Sequence, residues 1–318
     1  MKKIIFLLII FIALGIGGWF SYRLYIFQKK APAPRVTVAR RAAVPKTKEE
    51  LAKRIAAWKN LKKELAGEMK GFNGNVGLVV KDLDMNWEIN SSKDRSIPSA
   101  SIVKIPVMLS YFYAAHDKKI DLRSKIELKN TQKAPGSGVL KNAVAGQSFS
   151  IENLITLMIT ESDNTAANIL IGYLGFDTLN SYFAKLGLRH TNLSRKMMDF
   201  KERKKGVENY TTTADMAYLL EQLYRGAFLD AATSKRCLEI LANQKVNDRI
   251  PKELPQGTVT AHKTGLEDGL CHDVGIVYTD KGAFLICVLT KHGYKYAKPA
   301  KKMIAQMSLR TYEYYKSL

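Results

Sequence analysis

The chain has 318 residues, with 46% hydrophobic and 25% charged side chains and a formal net charge of +21. That length supplies enough apolar material for one large domain or two modest ones, and the composition is that of a folded protein. No Cys/His group has zinc-ligand spacing and no RNA- or DNA-reading motif is present, so nucleic acid is not the expected partner and no metal or other cofactor is expected.

The positive charge is uneven. Residues 1–70 hold 16 Lys and Arg against 4 Asp and Glu, which leaves 34 against 25 in the remainder. A basic amino-terminal region suits an anionic lipid surface or an acidic wall polymer. After Met1-Lys2-Lys3, residues 4–20 form an unbroken apolar and glycine run, at the short limit for spanning a bilayer, with Trp19, Tyr22 and Tyr25 as interfacial aromatics. An uncleaved signal anchor over 1–30 is the expectation. A cleaved signal ending near Ala31-Pro32-Ala33 is the competing reading. Arg23, Lys29, Lys30, Arg35, Arg40 and Arg41 follow the run and favour a cytoplasmic placement of what comes after it.

Residues 31–48 read as a stiff, basic, proline-containing linker. From Glu49 to Lys70, Leu51, Ile55, Trp58, Leu61 and Leu65 recur at helical spacing until Gly71. Residues 75–82 and a partner ending near Asn90 alternate as strands around a turn at 82–86. A long apolar helix opens at Ser101 and runs to His116. Helices are then predicted at 151–160, 165–174, 178–186, 214–224 and 231–242. Strands follow at 257–264, 273–278 and 282–290, the last two joined at Asp280-Lys281-Gly282, and residues 299–316 close as a helix. Strands divided by a helical block predict an α/β (α+β) architecture. One antiparallel sheet of about five strands is flanked by the terminal helices in residues 49–118 and 247–318, and residues 119–246 form an all-helical lobe. A site is expected between the two. Cys237, Cys271 and Cys287 imply no disulfide framework.

Ser101 and Lys104 stand three residues apart at a helix start, so they share a face. The free N–H groups and positive dipole end of a helix favour developing negative charge there. Downstream come Ser162-Asp163-Asn164, between two predicted helices, and Lys263-Thr264-Gly265, at a strand end. This ordered set resembles the class A β-lactamases and penicillin-binding proteins, over about residues 75–318.

The resemblance implies a membrane-tethered serine hydrolase, its domain outside the cytoplasm of a bacterial cell, that forms an acyl-enzyme with β-lactams or D-alanyl-D-alanine stem peptides of peptidoglycan. Ser101 would be the nucleophile, Lys104 its base, and Ser162 a proton relay held by Lys263. Asn164 would bind the substrate amide. The N–H groups of Ser101 and Leu266 would form the oxyanion hole, with Thr264 and Gly265 beside it. Lys263, Thr264 and Arg249 would receive the substrate carboxylate, and His272 could approach the same pocket. In the loop that carries the family's water-activating glutamate, Arg195 matches the structural arginine. Met197 occupies the glutamate's place, and Lys201 stands where an asparagine would help hold water. Asp199 or Glu202 could serve only if the alignment slips by a few residues. Methionine accepts no proton, so deacylation of a β-lactam is expected to be slow. The rival reading is a penicillin-binding receptor or wall sensor that traps its ligand.

Overall fold

The computed structural model describes residues 45, 47–293 and 297–318. The expected anchor and most of the linker lie outside them, and among the described residues no helix is long and apolar enough to cross a membrane.

The first helix, α1 (Lys48–Lys70), opens on a capping box in which Thr47 Oγ1 accepts from Glu50 N–H and the Glu50 carboxylate accepts from Thr47 N–H. Its apolar stripe buries Leu61 and Leu65 against a sheet made of β1 (Gly74–Asp82), β2 (Trp87–Ser91), β7 (Thr260–Glu267), β8 (Leu270–Thr279) and β9 (Gly282–His292). The strand order is β2-β1-β9-β8-β7 and every pairing is antiparallel. The last helix, α9 (Ala297–Lys316), lies on the same sheet face as α1. There Met303, Ile304 and Met307 pack with Leu78, Val80, Phe284, Ile286 and Val288. Full burial of each such side chain stabilises the fold by roughly 1.5–3 kcal/mol. Helices cover the other face as well, which is why β8 and β9 read as nearly continuous apolar runs.

Between β2 and β7 the chain forms β3 (Ile97–Pro98), α2 (Lys104–His116), β4 (Lys125–Glu127), β5 (Ser148–Ser150), α3 (Ile151–Thr160), α4 (Asn164–Leu174), α5 (Phe176–Lys185), α6 (Phe200–Lys204), β6 (Tyr210–Thr211), α7 (Thr213–Tyr224) and α8 (Ala231–Ala242). Ser150, Asp163, Thr212 and Asp230 each cap a helix by accepting a backbone N–H two or three residues into it. The expected helical block therefore also contains short strands, β4 with β5 and β6 with β3. Two- and three-residue pairings leave no period in a sequence, because their partners lie far along the chain. The Ser101 helix also begins differently from expectation. It starts as a 3-10 turn, Ala100–Val103, and becomes an α-helix only at Lys104.

Candidate active site

The Ser101 turn is wedged between the free edge of β7 and the helical lobe, and its backbone is fixed before any side chain is considered. Ser99 N–H donates to Asn209 O at 2.8 Å, and Ile102 N–H donates to Ser99 O at 3.0 Å. Ala100 takes φ 44°, a left-handed conformation that costs an alanine about 1 kcal/mol or more. Gly265 permits the close approach to β7, since a Cβ there would sit 3.1 Å from Ile102 Cγ1 and from His272 Cδ2. In a 3-10 turn residues i and i+3 eclipse, so Lys104 lies directly over Ser101.

Lys104 is buried, and its amine donates to Ser162 O at 2.7 Å and Asn164 Oδ1 at 2.8 Å, with Ser162 Oγ at 3.4 Å. Among the described residues no hydrogen bond joins it to Ser101 Oγ. Burial lowers its pKa to about 7, opposed by the charges of Asp163 and Glu267. Deprotonated, the amine has two hydrogens and one lone pair. The two short bonds use the hydrogens, which leaves the lone pair free to accept a proton.

Ser162 links α3 to α4 in a left-handed conformation, φ 52°. Its hydroxyl lies between two amines, because Lys263 Nζ donates to Ser162 Oγ at 2.9 Å and to Thr264 O at 2.8 Å. Burial, and then the charge of Lys104, push the Lys263 pKa well down. Asp163 accepts from Ala166 N–H and from the N–H groups of Val139 and Leu140, which ties the 136–140 loop to α4. Asn164 accepts from Lys104 while its Nδ2 donates to Pro135 O at 3.0 Å.

The β7 edge completes the arrangement. Tyr278 N–H donates to Val259 O at 3.0 Å, and the pairing runs unbroken from there to Glu267. Alternation then turns residues 261, 263, 265 and 267 toward β8 and leaves the N–H of Leu266 on the free edge, facing the Ser101 turn. The Thr264 hydroxyl makes no hydrogen bond among the described residues.

The model of the "Beta-lactamase enzyme family" matches residues 60–315. The chain belongs to the β-lactamase enzyme family. It falls within the class A β-lactamase and penicillin-binding superfamily of serine hydrolases acting on β-lactams. A β-lactamase from Sphaerobacter thermophilus superposes with TM-score 0.74 at 31% identity, covering 82% of this chain and 98% of that one. PBP-A superposes with TM-score 0.74 at 28% identity, over 81% and 97% respectively, and a variant of it has been solved as its acyl-enzyme complex with penicillin G. The β-lactamase VEB-1 of Pseudomonas aeruginosa is 22% identical over 80% of this chain and 90% of its own length.

Within the β-lactamase-like scaffold, Arg249 and His272 are both buried. Arg249 Nε donates to Cys271 Sγ at 3.2 Å and its Nη1 pairs with Asp248 at 3.1 Å, and no hydrogen bond carries it to Thr264 or Lys263 among the described residues. His272 lies buried in β8, where Nε2 donates to Pro98 O at 2.9 Å and Nδ1 accepts from Thr290 N–H at 3.1 Å, and burial lowers its pKa to about 4. It is a neutral strut between β8 and the segment leading to Ser101.

The loop from Thr191 to Thr211 is held by charges that the sequence reading missed. Arg195 Nε donates to Glu208 at 2.7 Å, and its Nη2 donates to Glu267 at 3.0 Å. Arg203 pairs with the same two carboxylates, at 3.2 Å each. Arg195, Glu208 and Glu267 are largely buried and Arg203 is partly exposed, so four charges form a neutral ring that joins the loop to the end of β7. Met197 is buried, and Asn168 brackets its backbone by accepting from its N–H at 2.8 Å and donating to its O at 3.1 Å. Asp199 caps α6 and Glu202 pairs with Lys205 at 2.7 Å, while Lys201 is exposed. Both nearby carboxylates are therefore engaged, Asp199 as a helix cap and Glu202 as an ion-pair partner. Only the spacing of Arg195 and Glu208 along one loop hinted at the ring, because Glu267 lies 72 residues away.

Proposed function

We propose that this protein is a serine acyltransferase-type hydrolase that acylates Ser101 readily with β-lactams or D-alanyl-D-alanine peptides and releases the β-lactam acyl group slowly. In this reading Lys104 takes the Ser101 proton as Oγ bonds to the substrate carbonyl carbon, with the oxyanion facing the N–H groups of Ser101 and Leu266. The C–N bond then breaks, and Ser162, between Lys104 and Lys263, passes a proton to the leaving nitrogen. Thr264 and Lys263 would meet the substrate carboxylate. The proposal also keeps the domain outside the cytoplasm on an amino-terminal anchor, with the basic linker against anionic lipid or wall polymer.

The observation that carries the slow-release reading is Met197. It is pinned by Asn168 at the place the resemblance gives to the glutamate, and Asp199 and Glu202 are committed to a cap and an ion pair. The same observation favours the second reading, a receptor that holds its ligand. Intact-mass spectrometry after mixing with penicillin tests both. A stable adduct on Ser101 is expected. Rapid adduct loss with product accumulating would overturn slow release, and the absence of any adduct would overturn the catalytic reading.

A further inference from the structure

A buried imidazole and a buried carboxylate lie behind the Lys263 end of β7, and the acyl-transfer reading gives neither a part. His262 Nδ1 donates to Asp273 Oδ1 at 2.9 Å, and its Nε2 meets the Asn247 side-chain amide at 3.0 Å. Asp273 Oδ2 accepts from Ile250 N–H at 3.0 Å. The imidazole has room because its cross-strand neighbour is Gly275, where a Cβ would sit 2.4 Å from His262 Cβ. Removing either partner leaves the other buried without its hydrogen bond.

Three segments meet at this pair. His262 directly precedes Lys263 in β7, and Asp273 stands opposite Thr264 in β8. Asn247 and Ile250 bound the short segment that carries the buried Arg249. β7 is the last strand of its sheet, so β8 alone supplies its backbone pairing there, while its other edge faces the Ser101 turn. Successive side chains of a strand point to opposite faces, so His262 is turned away from the face on which Lys263 reaches Ser162. Thr264 lies across the ladder from Asp273, and the two side chains are neighbours on one face. A binding constellation keeps its geometry to about 0.5 Å only where packing and hydrogen bonds behind it lock it in place.

We propose that His262 and Asp273 are positioning residues for recognition of the substrate carboxylate: they clamp the edge strand β7 to β8 and to the 247–250 segment, and so hold Lys263 and Thr264 where the carboxylate binds. The inference rests on the acyl-transfer reading above. The test uses the full chain and two forms of one penicillin, the free acid and its methyl ester. Adduct formation on Ser101 is followed by intact mass, with a thermal melt to establish folding. The ratio of acylation rate constants, acid over ester, is expected to fall about tenfold in His262→Ala and in Asp273→Asn, because a displaced Lys263 and Thr264 cost the acid contacts that the ester lacks. Asn247 is exposed, so its substitution spares the core. Asn247→Leu removes the outer bond and should lower the ratio about threefold, whereas Asn247→Asp keeps the oxygen and should retain it. A ratio unchanged in the folded variants, whether both rates hold or both fall together, overturns the positioning role and leaves acylation intact. Equal rates for acid and ester in the wild type overturn carboxylate recognition by Lys263 and Thr264, and the inference with it. No adduct with either form overturns the acyl-transfer reading itself.

Discussion

Replacing Met197 with glutamate examines most directly how acylation and release are divided. The backbone at this position is held from outside by the two Asn168 bonds at 2.8 and 3.1 Å, neither of which involves the Met197 side chain. The loop on either side is anchored by the Arg195 ring and by the α6 cap, so a side chain of similar length can enter without rebuilding the loop. The methionine is 5% exposed, so the new carboxylate would be largely desolvated and its pKa would rise toward neutrality, the range in which a general base is most effective. Positioned general bases contribute about a hundred- to ten-thousand-fold to rate. Met197→Glu should therefore shorten the lifetime of the penicillin acyl-enzyme by at least about a hundredfold and change the acylation rate little. The assay is the time course of intact mass after a single mixing, with a thermal melt to establish folding. A folded variant that acylates normally and keeps the parent adduct lifetime would refute the assignment of this position.

Acylation of the wild type should rise with pH through about 7 and then level, because burial brings Lys104 into that range and only its neutral form can take the Ser101 proton. A profile of adduct formation against pH that is flat between pH 5 and 9 would exclude Lys104 as the base. Glu267→Gln should cost about 2 kcal/mol, less than breaking an isolated buried pair because Arg195 keeps Glu208. That is a fall in Tm of roughly 3–4 °C by calorimetry, with a slower acylation as the Leu266 edge loosens. Gly138→Ala should destabilise by more than about 2 kcal/mol in urea unfolding. The residue takes φ 107°, and an added Cβ would lie 2.3 Å from Asp163 Cγ, the carboxylate that fixes the 136–140 loop to α4.

The readable part of the site is the part whose chemistry is local. Ser101 with Lys104, Ser162-Asp163-Asn164 and Lys263-Thr264-Gly265 are short segments, and each needs particular side chains close together in the chain. The five-stranded sheet and its covering helices were readable for a similar reason, since apolar period and turn residues are local signals. The left-handed backbone at Ala100 and Ser162 was not readable, because neither side chain asks for it and the surrounding contacts impose it. The same holds for Glu267, which resembles any solvated hairpin carboxylate until the fold carries Arg195 and Arg203 to it. Asn164 was expected to bind only substrate. That it also bridges Lys104 to Pro135 depends on a loop some thirty residues earlier.

These contacts bear on what the Thr191–Thr211 loop does when its centre is a thioether. A loop that merely closes the surface has no need of Arg195 buried between Glu208 and Glu267, with the partly exposed Arg203 neutralising the set, because desolvating the buried ions costs several kcal/mol each before the pairs offset it. Its effect is to fix the loop's position relative to Leu266, since Glu267 follows that residue in β7 and receives both arginines. Asn168 fixes the centre of the loop relative to α4, whose first residue, Asn164, holds Lys104. The loop is thus held from the oxyanion edge and from the base, with an uncharged, non-basic side chain between. That arrangement shapes the space an acyl group must occupy and keeps it fixed. On the proposed reading it offers no proton acceptor to the water that would remove the group, and a long-lived acyl-enzyme is the outcome that the adduct lifetime of the wild type tests.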